Sequence, residues 1–309
     1  MIYDVRLQTT YDYSAPVATA RHLLRMAPIN RPGQRVLQAN IVIKPEPSLR
    51  REDRDFFGNA VTRVSFDTPH NELDIVMTAR VEVLAEAPLD PEQTAPWERV
   101  RDIAFSGSDM SSEAPAHFLF PSRLVPRVPA LRMYAAESFT PGRPILAAAL
   151  DLTRRIWTDF TYDTEATTID TPPEEVFALK RGVCQDFTHL MITGLRGLGI
   201  PAAYVSGFLR TMPPPGQERL EGADATHAWV AVWCGREIGW RGLDPTNGIM
   251  VGQDHIVLAI GRDYADVSPV DGVVVTAGDH VLDVAVDVVP AGTPISGKKP
   301  DKKKLAVSA

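Results

Sequence analysis

The stretch Arg181-Gly182-Val183-Cys184-Gln185-Asp186-Phe187 decides the reading of this chain. A short helical pattern, Glu174 to Lys180, precedes it. An amphipathic one follows, with Phe187, Leu190, Met191, Gly194, Leu195 and Leu198 at spacings of three and four. Cys184 therefore opens a helix. A helix start leaves its first N–H groups without intrahelical acceptors and carries the positive end of the macrodipole, and both favour a thiolate. Gly182 reads as a left-handed stop for the preceding helix. That helix opens at Thr171-Pro172-Pro173-Glu174, which has the pattern of a capping box.

Upstream, Pro144 suits a first helical position, and Ile145, Ala149, Leu152, Ile156 and Phe160 form the apolar stripe of a further helix. Downstream the period changes to strands. Residues 202–209 form one, His227 to Cys234 a second, and Glu237 to Leu243 its return after a turn at Gly235-Arg236. His227 and Asp244 lie 17 positions apart across that hairpin, close enough to meet on neighbouring strands. Asp244 precedes Pro245, so its strand ends there. Cysteine, histidine and aspartate in these settings supply a nucleophile, a base and an orienting group. The expected arrangement has Asp244 accepting from His227 Nδ1–H, which leaves Nε2 for Cys184, and the Cys184 backbone N–H as an oxyanion donor. Trp229 shares a strand face with His227. Together with Gln185 and Trp157 it is a candidate substrate-binding residue, and Phe160 and Tyr162 are further candidates to line the cleft. Asp186, in the first turn, complements the helix dipole.

The first 90 residues read differently. Leu73, Ile75, Met77, Ala79, Val81 and Val83 alternate with mostly polar neighbours, as do Thr62, Val64 and Phe66, and Gly58-Asn59 marks a turn. Several short strands of this kind suggest a β-sandwich. His22 and His70 are isolated there and read as structural. Residues 91–143 are broken by prolines into a connection packed on the next domain, with short helical pieces such as Trp97 to Ile103. Residues 144–290 then form the catalytic core of an α+β fold, and residues 291–309 a disordered basic tail.

The totals exclude several functions. A net charge of −7 argues against nucleic acid or an anionic membrane as the partner. No apolar run is long enough for a membrane span, and the N-terminus has no signal-peptide pattern, so a cytoplasmic location is expected. The two cysteines, Cys184 and Cys234, do not make a disulfide scaffold. Cys184, His189, His227 and Cys234 have no metal-ligand spacing, and no cofactor is called for.

Three segments resemble the bacterial transglutaminase-like superfamily. Arg181 to Phe187, with His189-Leu190-Met191 and Leu198-Gly199-Ile200-Pro201-Ala202, is similar to the family's cysteine motif. Thr226-His227-Ala228-Trp229 and Leu243-Asp244-Pro245-Thr246-Asn247 are similar to its histidine and aspartate motifs. Gly261 to Val270 is typical of the bacterial branch, and Phe57-Gly58-Asn59 with Pro69-His70 resembles its N-terminal domain. The resemblance implies a papain-like core holding a Cys184–His227–Asp244 triad. It also implies a cysteine-dependent amide hydrolase or acyltransferase acting on a peptide or protein amide. Members of the family include crosslinkers, peptidases, amidases and inactive scaffolds. A non-catalytic peptide-binding or assembly module is thus the alternative, with the N-terminal β domain as the surface for a protein partner.

Overall fold

The structure is a computed structural model that describes residues 1–211, 225–293 and 305–306. The N-terminal third consists of strands β1 (Ile2–Val17), β2 (Thr19–Leu24), β3 (Gln34–Lys44), β4 (Leu49–Arg54), β5 (Ala60–Phe66) and β6 (His70–Val83). The period-two pattern of β6 buries Leu73, Ile75, Met77, Ala79, Val81 and Val83, all on one face. They share a core with Tyr3, Val5 and Leu7 of β1 and with Val64 and Phe66 of β5, which belongs to a second sheet.

Helices then follow: α1 (Trp97–Phe105), α2 (Pro129–Ala136), α3 (Ile145–Asp159), α4 (Pro173–Leu179) and α5 (Cys184–Gly197). Between them β7 (Thr161–Tyr162) pairs in parallel with β8 (Arg181–Gly182), placing Tyr162 opposite Gly182. The remaining elements are β9 (Ala202–Leu209), β10 (Ala225–Trp233), β11 (Trp240–Asp244), β12 (Ile249–Met250), β13 (His255–Gly261), α6 (Tyr264–Val267), β14 (Val270–Val275) and β15 (His280–Pro290). The core sheet has the order β12-β11-β10-β9-β13 and is antiparallel throughout. Its Tyr204, Ala228, Val230 and Val232 pack with Phe187, Leu190, Met191 and Leu195 of α5. Gly194 is required there, because a Cβ would stand 2.9 Å from Ala135 Cβ and 3.1 Å from the Leu131 carbonyl of α2.

The two regions are joined more tightly than the expected boundaries allow. β14 pairs with β2, and β15 pairs along most of β1, so residues 270–290 complete the N-terminal sheets instead of the core. The connecting segment contributes α2, whose Leu131, Tyr134 and Ala135 pack in the core with α5. Phe208, Ile256 and Leu258 of the core sheet sit in the N-terminal core. β13 is an edge strand of its sheet but is buried, and two N-terminal amides bond to its backbone. Gln34 accepts from Val257 N–H (2.7 Å) and donates to Val257 O (2.8 Å), while Asn59 does the same for Ile260 (2.8 Å each). These side chains act as the missing neighbour strand, which gives the Gly58-Asn59 turn a physical reason beyond its bend.

Three local expectations need correction. Helix α4 has Pro172 at its cap and no side-chain cap; the Thr171 hydroxyl instead accepts from Thr168 N–H at 2.8 Å. The left-handed residue after α4 is Lys180 (φ 57°), not Gly182. Pro144 caps α3 from outside its first turn. Of the expected tail, residues 291–293 and Leu305–Ala306 (β16) are described: Ala291 N–H donates to Ile2 O (2.9 Å) and β16 pairs with β15, while the rest lies outside the described residues. Among the described residues no helix is long and apolar enough to cross a membrane.

Candidate active site

Cys184 is the first residue of α5 and is half-buried. Its position is fixed from below by Asp186. One carboxylate oxygen, Oδ2, accepts from Val183 N–H (2.8 Å) and from the Thr167 hydroxyl (2.6 Å). That oxygen explains Gly182. A Cβ at residue 182 would meet Asp186 Oδ2 at 2.6 Å, so the position needs a glycine for space and not for a left-handed backbone. Burial raises the Asp186 pKa, while its two donors oppose the rise.

His227 sits near the start of β10, opposite Gly207 on β9, and is nearly inaccessible. Its Nε2 lies 2.7 Å from Asp244 Oδ2, and the Cys184 side chain is near enough to act on the charge of the ring. The ring is thus held the opposite way round from the expectation. Nε2, not Nδ1, faces the carboxylate, and Nδ1 is left for sulfur. Asp244 itself is fully buried at the end of β11. Its Oδ1 accepts from Thr246 N–H (2.9 Å) and Asn247 N–H (3.2 Å), a turn closed by the side chain, and Asn247 Nδ2 adds a bond to Oδ2 at 2.7 Å.

The electrostatics follow from this packing. Burial pulls the His227 pKa down, but hydrogen bonds and charge from Asp244 and Cys184 outweigh it and raise the value to about 10. Burial pushes the Asp244 pKa up, and the donors His227, His255 and Asn247 overcome it, leaving the carboxyl well below the usual carboxylate range. Tyr162, Tyr204 and Tyr264 lie in the neighbourhood of Cys184. Each is raised, first by burial and then by Cys184 among other groups.

His255 was not singled out in the sequence, and its Nε2 lies 3.2 Å from the same Asp244 oxygen. The signal available was weak: a histidine at the head of an apolar strand, with nothing local to reveal its partner. The nearest ligand atoms of His227, Asp244 and His255 all fall within 4.8 Å of one another, a spacing that could hold a metal ion. Here two imidazole N–H groups donated to one carboxylate account for it. The weighed zinc set is not brought together. His189 is buried and its Nε2 accepts from Tyr264 N–H (3.1 Å), and Cys234 is buried with its thiol directed at Val232 O.

The three substrate-binding candidates separate. Trp229 is only 1% exposed and packs against both imidazoles, 6.0 Å from His227 and 5.2 Å from His255 by ring centroids. It is packing for the dyad and offers no surface to a substrate, as its burial dictates. Gln185 is tied to the preceding loop by a bond from Nε2 to Ile169 O (2.9 Å). Trp157 is 57% exposed and rests on Gly248, in the turn that follows Asp244. Tyr162 is also exposed. The loop from Pro213 to Ala225 bordering β10 lies outside the described residues apart from Ala225.

Comparison with known proteins fits this geometry. Residues 3–82 match the bacterial transglutaminase-like N-terminal region, and residues 132–245 match the transglutaminase-like superfamily. An uncharacterized protein of Mycobacterium tuberculosis is 41% identical over 295 residues, covering 93% of this chain and 92% of its own. An uncharacterized protein of Mycobacterium leprae is 30% identical over 286 residues, covering 91% and 95%. Among solved structures, a candidate cysteine protease from Cytophaga hutchinsonii superposes with a TM-score of 0.73 at 20% identity, over 99% of this chain and 96% of that one.

Proposed function

Because this chain belongs to the bacterial transglutaminase-like superfamily, we propose that it is a cysteine-dependent amide hydrolase or acyltransferase acting through a thioester at Cys184. One observation carries the reading: a single buried imidazole stands 2.7 Å from a buried carboxylate, with Cys184 at the head of α5 near enough to act on its charge. Attack by sulfur on an amide carbonyl carbon forms the C–S bond. The Cys184 backbone N–H, in the first turn of α5, would receive the oxyanion. His227 then gives its proton to the leaving nitrogen as the C–N bond breaks, and the thioester remains. Water attacks next, losing its proton to His227, and yields a carboxylic acid and the free thiol. An amine in place of water yields a new amide. Asp244 stays ionised throughout and stabilises the imidazolium. Trp157, which rests on Gly248 in the turn after Asp244, and Tyr162 are exposed and would offer contacts to the acyl segment of a peptide.

The reading is tested by incubating the protein with a mixed glutamine-peptide library and an amine, and following adducts on the Cys184 peptide by mass spectrometry. A thioester that partitions between acid and amide is expected, and Cys184→Ala abolishes it. Peptide binding without any adduct would instead support a binding module.

A further inference from the structure

The carboxylate of Asp244 is served by two histidines, and the reaction above uses only one. His255 opens β13, at the opposite edge of the core sheet from β11 and β12, yet its ring is 98% buried and reaches the catalytic carboxylate. Its tautomer is set locally. Gly252 N–H points at Nδ1 (3.3 Å), so Nδ1 accepts and the proton of the neutral ring sits on Nε2, directed at Asp244. Trp229 packs edge-on against the ring, and Gly207 makes room for that indole, since a Cβ there would meet it at 2.4 Å.

Oδ1 is occupied by the two backbone donors of the turn. Oδ2 receives His227, Asn247 Nδ2 and His255. A carboxylate has about four lone-pair sites, and five N–H groups compete for them here. His255 therefore does two things at once. It removes rotational freedom from the carboxylate, and it draws off part of the charge that would otherwise hold the His227 proton. We propose that His255 is a positioning residue of the acyl-transfer site, fixing Asp244 in the orientation that His227 needs and moderating how firmly His227 keeps its proton. The inference rests on the reading of Cys184, His227 and Asp244 given above. The charged groups facing His255 are Asp244 from β11, His227 from β10, and Arg31 and Glu86 across a cavity of about 320 Å³. Glu86 is paired with Arg241 (2.9 Å), and neighbouring Asp254 is tied to Tyr3 and Arg210.

The test is the pH profile of Cys184 alkylation by iodoacetamide, read on the Cys184 peptide by mass spectrometry. His227→Ala, which removes the limb due to the imidazole, serves as the reference. In His255→Phe that limb moves to higher pH by about half a unit or more, because a competing donor has left the carboxylate. His255→Gln places an amide N–H where Nε2 stood and returns the limb to its original position. His255→Asn places its amide near Nδ1 and does not. Superposable profiles for wild type and His255→Phe would overturn the inference, and so would a Gln variant displaced as far as the Asn variant. Should His255→Phe melt out in circular dichroism, the Gln and Asn pair carries the same test. A wild-type profile with no limb that depends on His227 would instead sink the underlying reading.

Discussion

Two buried histidines in the same core hold protons in opposite ways. His189, on α5, is packed against Tyr204, accepts a backbone N–H from Tyr264 and has no carboxylate bonded to its ring. Burial pushes its pKa down to about 4. Burial pulls His227 down as well, but bonding to Asp244 and the influence of Cys184 outweigh it, and it rises to about 10. His22 of the N-terminal sheets, with its Nε2 unpartnered, behaves as His189 does and falls to about 4. Burial alone thus makes a neutral histidine, and a fixed anion reverses the outcome. His227 differs from His189 and His22 in having a buried carboxylate bonded to its ring and Cys184 beside it.

The strongest way to break the comparison is to remove that carboxylate's charge. Asp244→Asn should lower turnover on any peptide that labels Cys184 by roughly 10²–10⁴, from lost orientation and lost stabilisation of the imidazolium. If turnover stayed within a few-fold of wild type, Asp244 would not be what sets His227 apart.

A smaller effect appears in stability. His227 has a folded pKa above its unfolded value, so its contribution is complete below about pH 6.5 and is lost as pH rises through about 10. His22 is the converse case. Its folded pKa is depressed, so its neutral form is at no disadvantage above about pH 6.5, and stability is lost as pH falls through about 4. Thermal melts should therefore show an alkaline loss that Asp244→Asn flattens, and an acid loss that His22→Phe reduces by roughly 1–3 kcal/mol. Variants that altered the wrong limb would contradict the assignment of charge.

Much of this was legible in the sequence, for physical reasons. The alternation in Leu73 to Val83 and the apolar stripe behind Cys184 are local periodicities, and local periodicity fixes element type. The cysteine, histidine and aspartate motifs also lay in plain view. What escaped was non-local. The pattern in Val281 to Val289 says strand but does not name β1 as its partner. His255 reaches Asp244 only because the chain crosses from one edge of the core sheet to the other between β12 and β13. The face that His227 turns to Asp244 is set by that same packing, which no spacing encodes. The glycine at 182 was visible, but its reason, the Asp186 carboxylate occupying the space of a side chain, was not.

The central claim is that His227 remains protonated at neutral pH, with Nε2 on Asp244 and Nδ1 toward Cys184. Long-range ¹H–¹⁵N NMR of ¹⁵N-histidine-labelled protein across a pH titration tests it most directly, with His227→Gln identifying the resonance. The account predicts a doubly protonated ring through neutral pH that titrates near 10. A neutral ring at pH 7, titrating at or below the ordinary histidine value, would contradict it.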